Sequence, residues 1–407
     1  VKLGLLPGWG GTQNLPRLLG LTNALPLILQ GKEVRADKAK KLGLVDATCD
    51  RPSHESLAVR CAKELAAGTL KGKGAPGKKK SWARWATEDF APGRMYVFSE
   101  AKKAVAKSAA PDKMPAPYAI LDCVRKGFES PQMRRENLQY EASRFVELAK
   151  TPTSSALIGL FDGMTALKKN RYARDGDATP RAVAVLGAGL MGAGIAQVSA
   201  EKGLKVVLKD ANAPALGKGE DYIGANLAKK VQRKSLTNHQ RNAVVSRVVP
   251  MHDGSDADSW ARHMSRADVV IEAVPENLEL KHKVIRAVEP LLHERAVFAT
   301  NTSAIPIAHV AAGAARPERV VGMHYFSPVP QMPLLEIIPH AATARDACAA
   351  AVAVGIKQGK TCIVVKDVPG FYVNRCLAPM LAEVFPLFED GVTPSALDQA
   401  MKSMGMP

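Results

Sequence analysis

The feature that most constrains the fold is a short apolar run that stops at three spaced glycines. Ala182-Val-Ala-Val-Leu186 is followed at once by Gly187-Ala-Gly189-Leu-Met-Gly192 and then by a segment of helical character, 193–202. The order is strand, turn, helix. Gly187 permits the tight turn, Gly189 lets the backbone approach a pyrophosphate, and Gly192 lets the helix pack closely on the strand. Free amides at the helix N-terminus then face the phosphates. A second strand-like run, Lys205-Val-Val-Leu208, leads to Asp210, eighteen positions past Gly192. An acidic residue there binds a ribose 2′-hydroxyl and repels a 2′-phosphate, which favours NAD over NADP. Lys209 beside it leaves that choice open.

Further runs of buried-strand type follow, and they predict a doubly wound parallel sheet of Rossmann type. The run 267–274 leads into Pro275-Glu276-Asn277 and a helix carrying Lys281. On sequence alone, Glu276 and Lys281 are equally a cofactor contact or a surface charge pair at a helix start. The run 296–299 opens on Thr300-Asn301-Thr302-Ser303, and 319–323 opens on His324-Tyr-Phe-Ser327-Pro328. Both fit strand ends facing a cleft. Twelve residues after His324 comes Glu336, in Leu334-Leu-Glu-Ile-Ile338, a spacing that suits adjacent strands with a short connection. A histidine and a carboxylate then meet. Oxidation of an alcohol needs a base for the hydroxyl proton as hydride leaves carbon, and a carboxylate on the far imidazole nitrogen fixes the tautomer.

The length of 407 residues predicts two or three domains, and 46% hydrophobic content supplies their cores. No apolar stretch approaches the roughly 20 residues of a membrane span. Six scattered cysteines without C-x-x-C fit reduced, buried thiols better than disulfides or a zinc site, and no metal is expected. The net charge of +17 is concentrated in part at Lys71, Lys73, Lys78, Lys79 and Lys80, read as an exposed basic loop. A nucleic-acid binder would need aromatic or groove-reading motifs, which are missing. Helical periodicity over 115–169 predicts helices bridging two domains.

Taken together, Gly187–Gly192, Pro275-Glu-Asn277, Asn301-Thr-Ser303, His324-Tyr-Phe-Ser-Pro328, Glu336 and Pro369-Gly-Phe-Tyr-Val-Asn374-Arg375 closely resemble the L-3-hydroxyacyl-CoA dehydrogenases. The resemblance implies that His324 is the catalytic base and Glu336 its partner, with Ser303 and Asn374 bonding the substrate. It assigns Met191, Asp210, Val274, Pro275, Glu276 and Lys281 to the NAD site, with Ser303 nearby. Ser327 stands where many single-function members have Asn, as it does in large multifunctional members, and either residue reaches the nicotinamide amide differently.

The front end, Val1-Lys-Leu-Gly-Leu-Leu-Pro7-Gly-Trp-Gly-Gly-Thr12-Gln13, resembles the tail of an enoyl-CoA hydratase (crotonase) domain. A crotonase needs two carboxylates and two oxyanion-holding amides. In the family these precede Val1, so the sequence is read as an excerpt of a longer chain. The expected organisation is a crotonase remnant over 1–64, a basic loop and helical linker over 65–179, the NAD-binding domain over 180–364, and the start of an all-α C-terminal domain over 365–407. This order resembles the multifunctional fatty-acid oxidation enzymes and implies an acyl-CoA thioester substrate, a thiolase subunit as partner, and a homodimer through the C-terminal dehydrogenase domain. An Ala/Arg-rich composition points to bacterial cytoplasm, with mitochondrion or peroxisome as alternatives. The rival readings are an NAD-binding fragment without catalysis and a nicotinamide dehydrogenase of another hydroxy acid.

Overall fold

A computed structural model describes residues 1–70, 81–107, 109–177, 179–404 and 406. The basic run 71–80 lies outside the described residues. The chain divides into two compact units, Val1–Gly163 with Ser395–Pro407, and Met164–Pro394.

The first unit is helical. Helices Gly11–Leu19 and Leu21–Gln30 share one core with Ala116–Glu129 and Arg134–Ala149, through buried Leu19, Leu25, Ile120, Val124 and Leu148. Two of the helices read from sequence as a connecting linker, Ala116–Glu129 and Arg134–Ala149, are therefore packed into the core of the N-terminal segment. One buried carboxylate joins them as well. Glu141 accepts from the amides of Gly10 (2.6 Å) and Thr12 (2.9 Å) and from the Thr12 hydroxyl, filling the turn that opens helix Gly11–Leu19. The turn's own residue at the helix N-cap, Gly10, has no side chain to do this.

The second unit holds an eight-stranded sheet in the order β3-β2-β1-β4-β5-β6-β7-β8. The strands are β1 (Ala182–Leu186), β2 (Lys205–Asp210), β3 (Val248–His252), β4 (Val269–Glu272), β5 (Val297–Thr300), β6 (Val320–Tyr325), β7 (Leu334–Ile338) and β8 (Thr361–Val364). β1 to β6 run parallel, while β7 pairs antiparallel with β6 and β8 runs parallel to β7. The sheet is thus mostly rather than wholly parallel. Helices cover both faces in two apolar clusters, one including Val185, Ile195, Leu208 and Met323, the other Leu186, Val270, Ile285 and Phe298. Burial on both faces explains why the central strands read as apolar runs, while edge strands β3 and β8 are only part-buried. Strand order reverses between β1 and β4, and this crevice is where such sheets bind ligands.

Candidate active site

The turn after β1 has the geometry its glycines require. Gly187 has φ +98°, and a Cβ there would lie 2.6 Å from the Ala273 carbonyl oxygen. A Cβ on Gly192 would lie 1.8 Å from the Gly187 oxygen, so the helix meets the strand at a distance only glycine allows. Gly189 differs, since a Cβ there meets nothing within 4 Å. It is the N-cap of helix Leu190–Glu201, and no side chain caps that end. Its first amides are available to an anion. Asp210 closes the turn from β2, accepting from the amides of Ala188 and Ala211, each at 2.7 Å.

A cavity of about 900 Å³ opens at this point, lined among others by Gly187, Gly189, Met191, Asp210, Val274 and Pro275. Gly192 supports it from behind, buried against β1. An uncapped helix end, open space at Gly189 and a carboxylate at the end of β2 fit a dinucleotide's pyrophosphate and ribose.

Beyond the cavity the ends of β4 and β5 are tied by a buried polar network that sequence reasoning missed. Glu272, fully buried, receives Lys281 Nζ on both oxygens (2.8 and 3.0 Å), the Thr300 hydroxyl (2.7 Å) and the Val274 amide (2.8 Å). Glu272 and Thr300 are register partners across β4 and β5. Lys281 is 1% exposed and also pairs with Glu276 at 3.2 Å. It is neither a surface helix charge nor on the cavity wall; it reaches the site through the two glutamates. Glu276 in turn accepts from the Thr302 hydroxyl and from the Ser303 amide (3.2 Å). Burial pushes its carboxyl up, but the Thr302 hydroxyl, the Lys281 ammonium and the Ser303 amide outweigh this and hold it below the ordinary carboxylate range. The available signal for Glu272 was an acid inside an otherwise apolar strand, which must find a partner.

The histidine–carboxylate contact is formed as the spacing predicts. His324 and Glu336 are direct partners in the β6–β7 register, and His324 Nδ1 lies 2.7 Å from Glu336 Oε2. The other carboxylate oxygen accepts from the amides of Tyr372 (3.0 Å) and Val373 (2.9 Å). Burial alone raises the Glu336 carboxyl, but the bonds from His324 and from those two amides prevail and lower it. Phe326 and Phe371 flank the imidazole, with ring centroids 4.5 and 5.7 Å away.

Asn374 donates from Nδ2 to the Ser303 carbonyl (3.1 Å), so these two residues from distant segments sit side by side. Asn374 lies inside the first turn of helix Val373–Glu389, whose N-cap is Tyr372, and so does not cap it. Ser327 is exposed beyond the end of β6. The structure therefore gathers the predicted residues into two groups, the cavity wall and the His324 cluster, with Glu276 and Lys281 behind the loop carrying Ser303.

Sheet order, turn and cavity place the chain among the dinucleotide-binding dehydrogenases. Residues 182–368 match the family described as 3-hydroxyacyl-CoA dehydrogenase, NAD binding domain, residues 370–407 its C-terminal domain, and residues 1–72 the enoyl-CoA hydratase/isomerase family. The chain belongs to the 3-hydroxyacyl-CoA dehydrogenase family, with part of a crotonase domain ahead of it. Over its whole length it is 42% identical to the fatty acid oxidation complex subunit alpha of Aliivibrio fischeri and 41% identical to that of Shewanella amazonensis. It spans 57% and 56% of those chains. Among solved structures, the (S)-3-hydroxybutyryl-CoA dehydrogenase PaaH1 of Ralstonia eutropha is similar at 36% identity and a TM-score of 0.52, covering 55% of this chain and 77% of that one. FadB2 of M. tuberculosis is similar at 31% identity and a TM-score of 0.52, covering 56% and 78%.

Proposed function

We propose that the protein to which this chain belongs oxidises L-3-hydroxyacyl-CoA to 3-oxoacyl-CoA with NAD in fatty-acid β-oxidation, and that its crotonase part hydrates the preceding 2-enoyl-CoA. The observation that carries the oxidation step is the His324–Glu336 pair. Glu336 is held ionised by two backbone amides and accepts the third bond from His324 Nδ1. The imidazole hydrogen therefore sits on Nδ1, and Nε2 presents a lone pair. The cavity at Gly187, Gly189 and Asp210 would hold NAD, which would supply the acceptor for the hydride that leaves C3. His324 Nε2 takes the hydroxyl proton, and Glu336 stabilises the resulting imidazolium.

Asn374 has one Nδ2 hydrogen engaged by the Ser303 carbonyl. The second is left for a substrate oxygen on the thioester side, and the Ser303 hydroxyl bonds the reacting oxygen in this reading. The aromatic rings of Phe326 and Phe371 exclude water from the imidazole face.

The relatives named as alpha subunits of a complex support association with a second subunit. Thiolytic cleavage is the chemistry that consumes a 3-oxoacyl-CoA, which makes a thiolase the fitting partner. Dimerisation through the C-terminal dehydrogenase domain and a bacterial cytoplasmic setting complete the proposal; the latter is supported by the bacterial relatives. The test is reduction of acetoacetyl-CoA by NADH, followed by loss of NADH absorbance. Turnover that disappears in His324→Gln, with NADH still bound, is the expected result; undiminished turnover would exclude His324 as the base.

A further inference from the structure

The cavity wall at the end of β2 carries two neighbours of opposite charge, Lys209 and Asp210, and both line the space assigned to the cofactor. A lysine here is a ready partner for a 2′-phosphate, and its presence argues against the discrimination that Asp210 provides. The structure places something else on it. Lys209 Nζ is in an ion pair with Asp253, just past the end of β3, and lies 5.2 Å above the centroid of the Trp260 ring. Asp253 and Trp260 line the same cavity. The strands supply this arrangement, because Lys209 is in register with Met251 on parallel β3, and its long side chain reaches Asp253, two residues further and just past the strand end.

We propose that Asp253 is a specificity-determining residue that excludes NADP by occupying Lys209. The pair removes the ammonium from the reach of a 2′-phosphate. It also leaves this wall, with Lys209, Asp210 and Asp253, at one net negative charge. The face of the Trp260 ring adds a second attraction to the same ammonium. His252 adds no competing donor at Nδ1, which accepts from the Gly254 amide at 3.0 Å. Among the described residues Lys283 is the other lysine on the cavity lining, and it sits on a different element, helix Leu278–Val288.

The proposal rests on the NAD reading of the cavity, and binding measurements separate the two. NADH and NADPH are titrated by fluorescence against the full chain, Asp253→Asn, and Lys209→Met with Asp253→Asn, each checked for an unchanged melting temperature. In Asp253→Asn the affinity for NADPH relative to NADH is expected to rise by about fivefold or more, as one charged hydrogen bond to phosphate becomes available. The gain should shrink with added salt and vanish in the double variant. An unchanged ratio in Asp253→Asn would overturn the proposal. So would a gain that survives in the double variant, since it would then belong to Lys283 or to the general field. Failure of the unsubstituted chain to bind NADH would overturn the cofactor reading itself, and the proposal with it.

Discussion

His324 and Glu336 stand opposite one another where β6 meets β7, the single antiparallel pairing of the sheet, and their side chains bond at 2.7 Å. Antiparallel pairing brings residues twelve apart into direct opposition, with both side chains on one face of the sheet. The turn between the strands thus does in one step what a parallel crossover would need a helix to do.

Substitution of either partner should affect turnover more than cofactor binding. His324→Gln is expected to lower kcat by roughly 10²–10⁴-fold. Glu336→Gln keeps a hydrogen-bond acceptor but not the charge, and should cost less than loss of the imidazole. Steady-state kinetics set beside NADH titration checks both, and a parallel loss of NADH affinity would count against the assignment.

Acid should destabilise the second unit through carboxyls that include two in the site, besides Asp346 beside Arg319. Glu276 and Glu336 are both held below their ordinary value of 4.5. A lowered carboxyl contributes stability that is fully present above 4.5 and is lost as pH falls through its folded value. Melting temperature should therefore decline on the acid side of 4.5, and Glu336→Gln should flatten part of that decline.

Glu272 is expected to matter more for stability than its distance from the acid–base pair suggests. Glu272→Ala leaves Lys281 buried beside a single remaining carboxylate, Glu276, and strips the Thr300 hydroxyl of its acceptor. Breaking a buried pair from one side typically costs about 3–5 kcal/mol. Urea unfolding of the variant measures it; a change below about 1 kcal/mol would show that the network relaxes.

Two glycines of one turn should fail in different ways. Gly192→Ala drives a methyl to 1.8 Å from the Gly187 oxygen, so folding of the unit should suffer. Gly189→Ala meets no protein atom within 4 Å, so the fold should persist while NADH affinity falls. Thermal melts and titration distinguish the two, and normal NADH binding by Gly189→Ala would move the pyrophosphate elsewhere.

Six of the strands were visible in the sequence because they are largely buried, as Ala182–Leu186 and Leu334–Ile338 are, and a continuous apolar run then marks the element; β3 and β8, the part-exposed edge strands, were not read. His324 and Glu336 were legible from spacing and chemistry together. Glu272 was not, because an acid within Val269–Glu272 declares its role only when Lys281 and Thr300 converge on it from other elements. Lys281 looked like a surface or cofactor residue for the same reason: its helix position was plain, but its burial depends on β4 and β5 behind it. The reversal of β7 leaves no mark in the apolar run itself; the twelve-residue spacing of His324 and Glu336, with its short connection, is what points to it. Glu141 likewise reads as an ordinary helix-surface acid until the turn at Gly10 is folded against it.

The amides of Tyr372 and Val373 hold the carboxylate that aims the imidazole, and they come from chain made after every strand of the sheet. The direction of the imidazole is thus set from outside the sheet, by the turn that opens the helix Val373–Glu389, and any displacement of that turn would release the carboxylate.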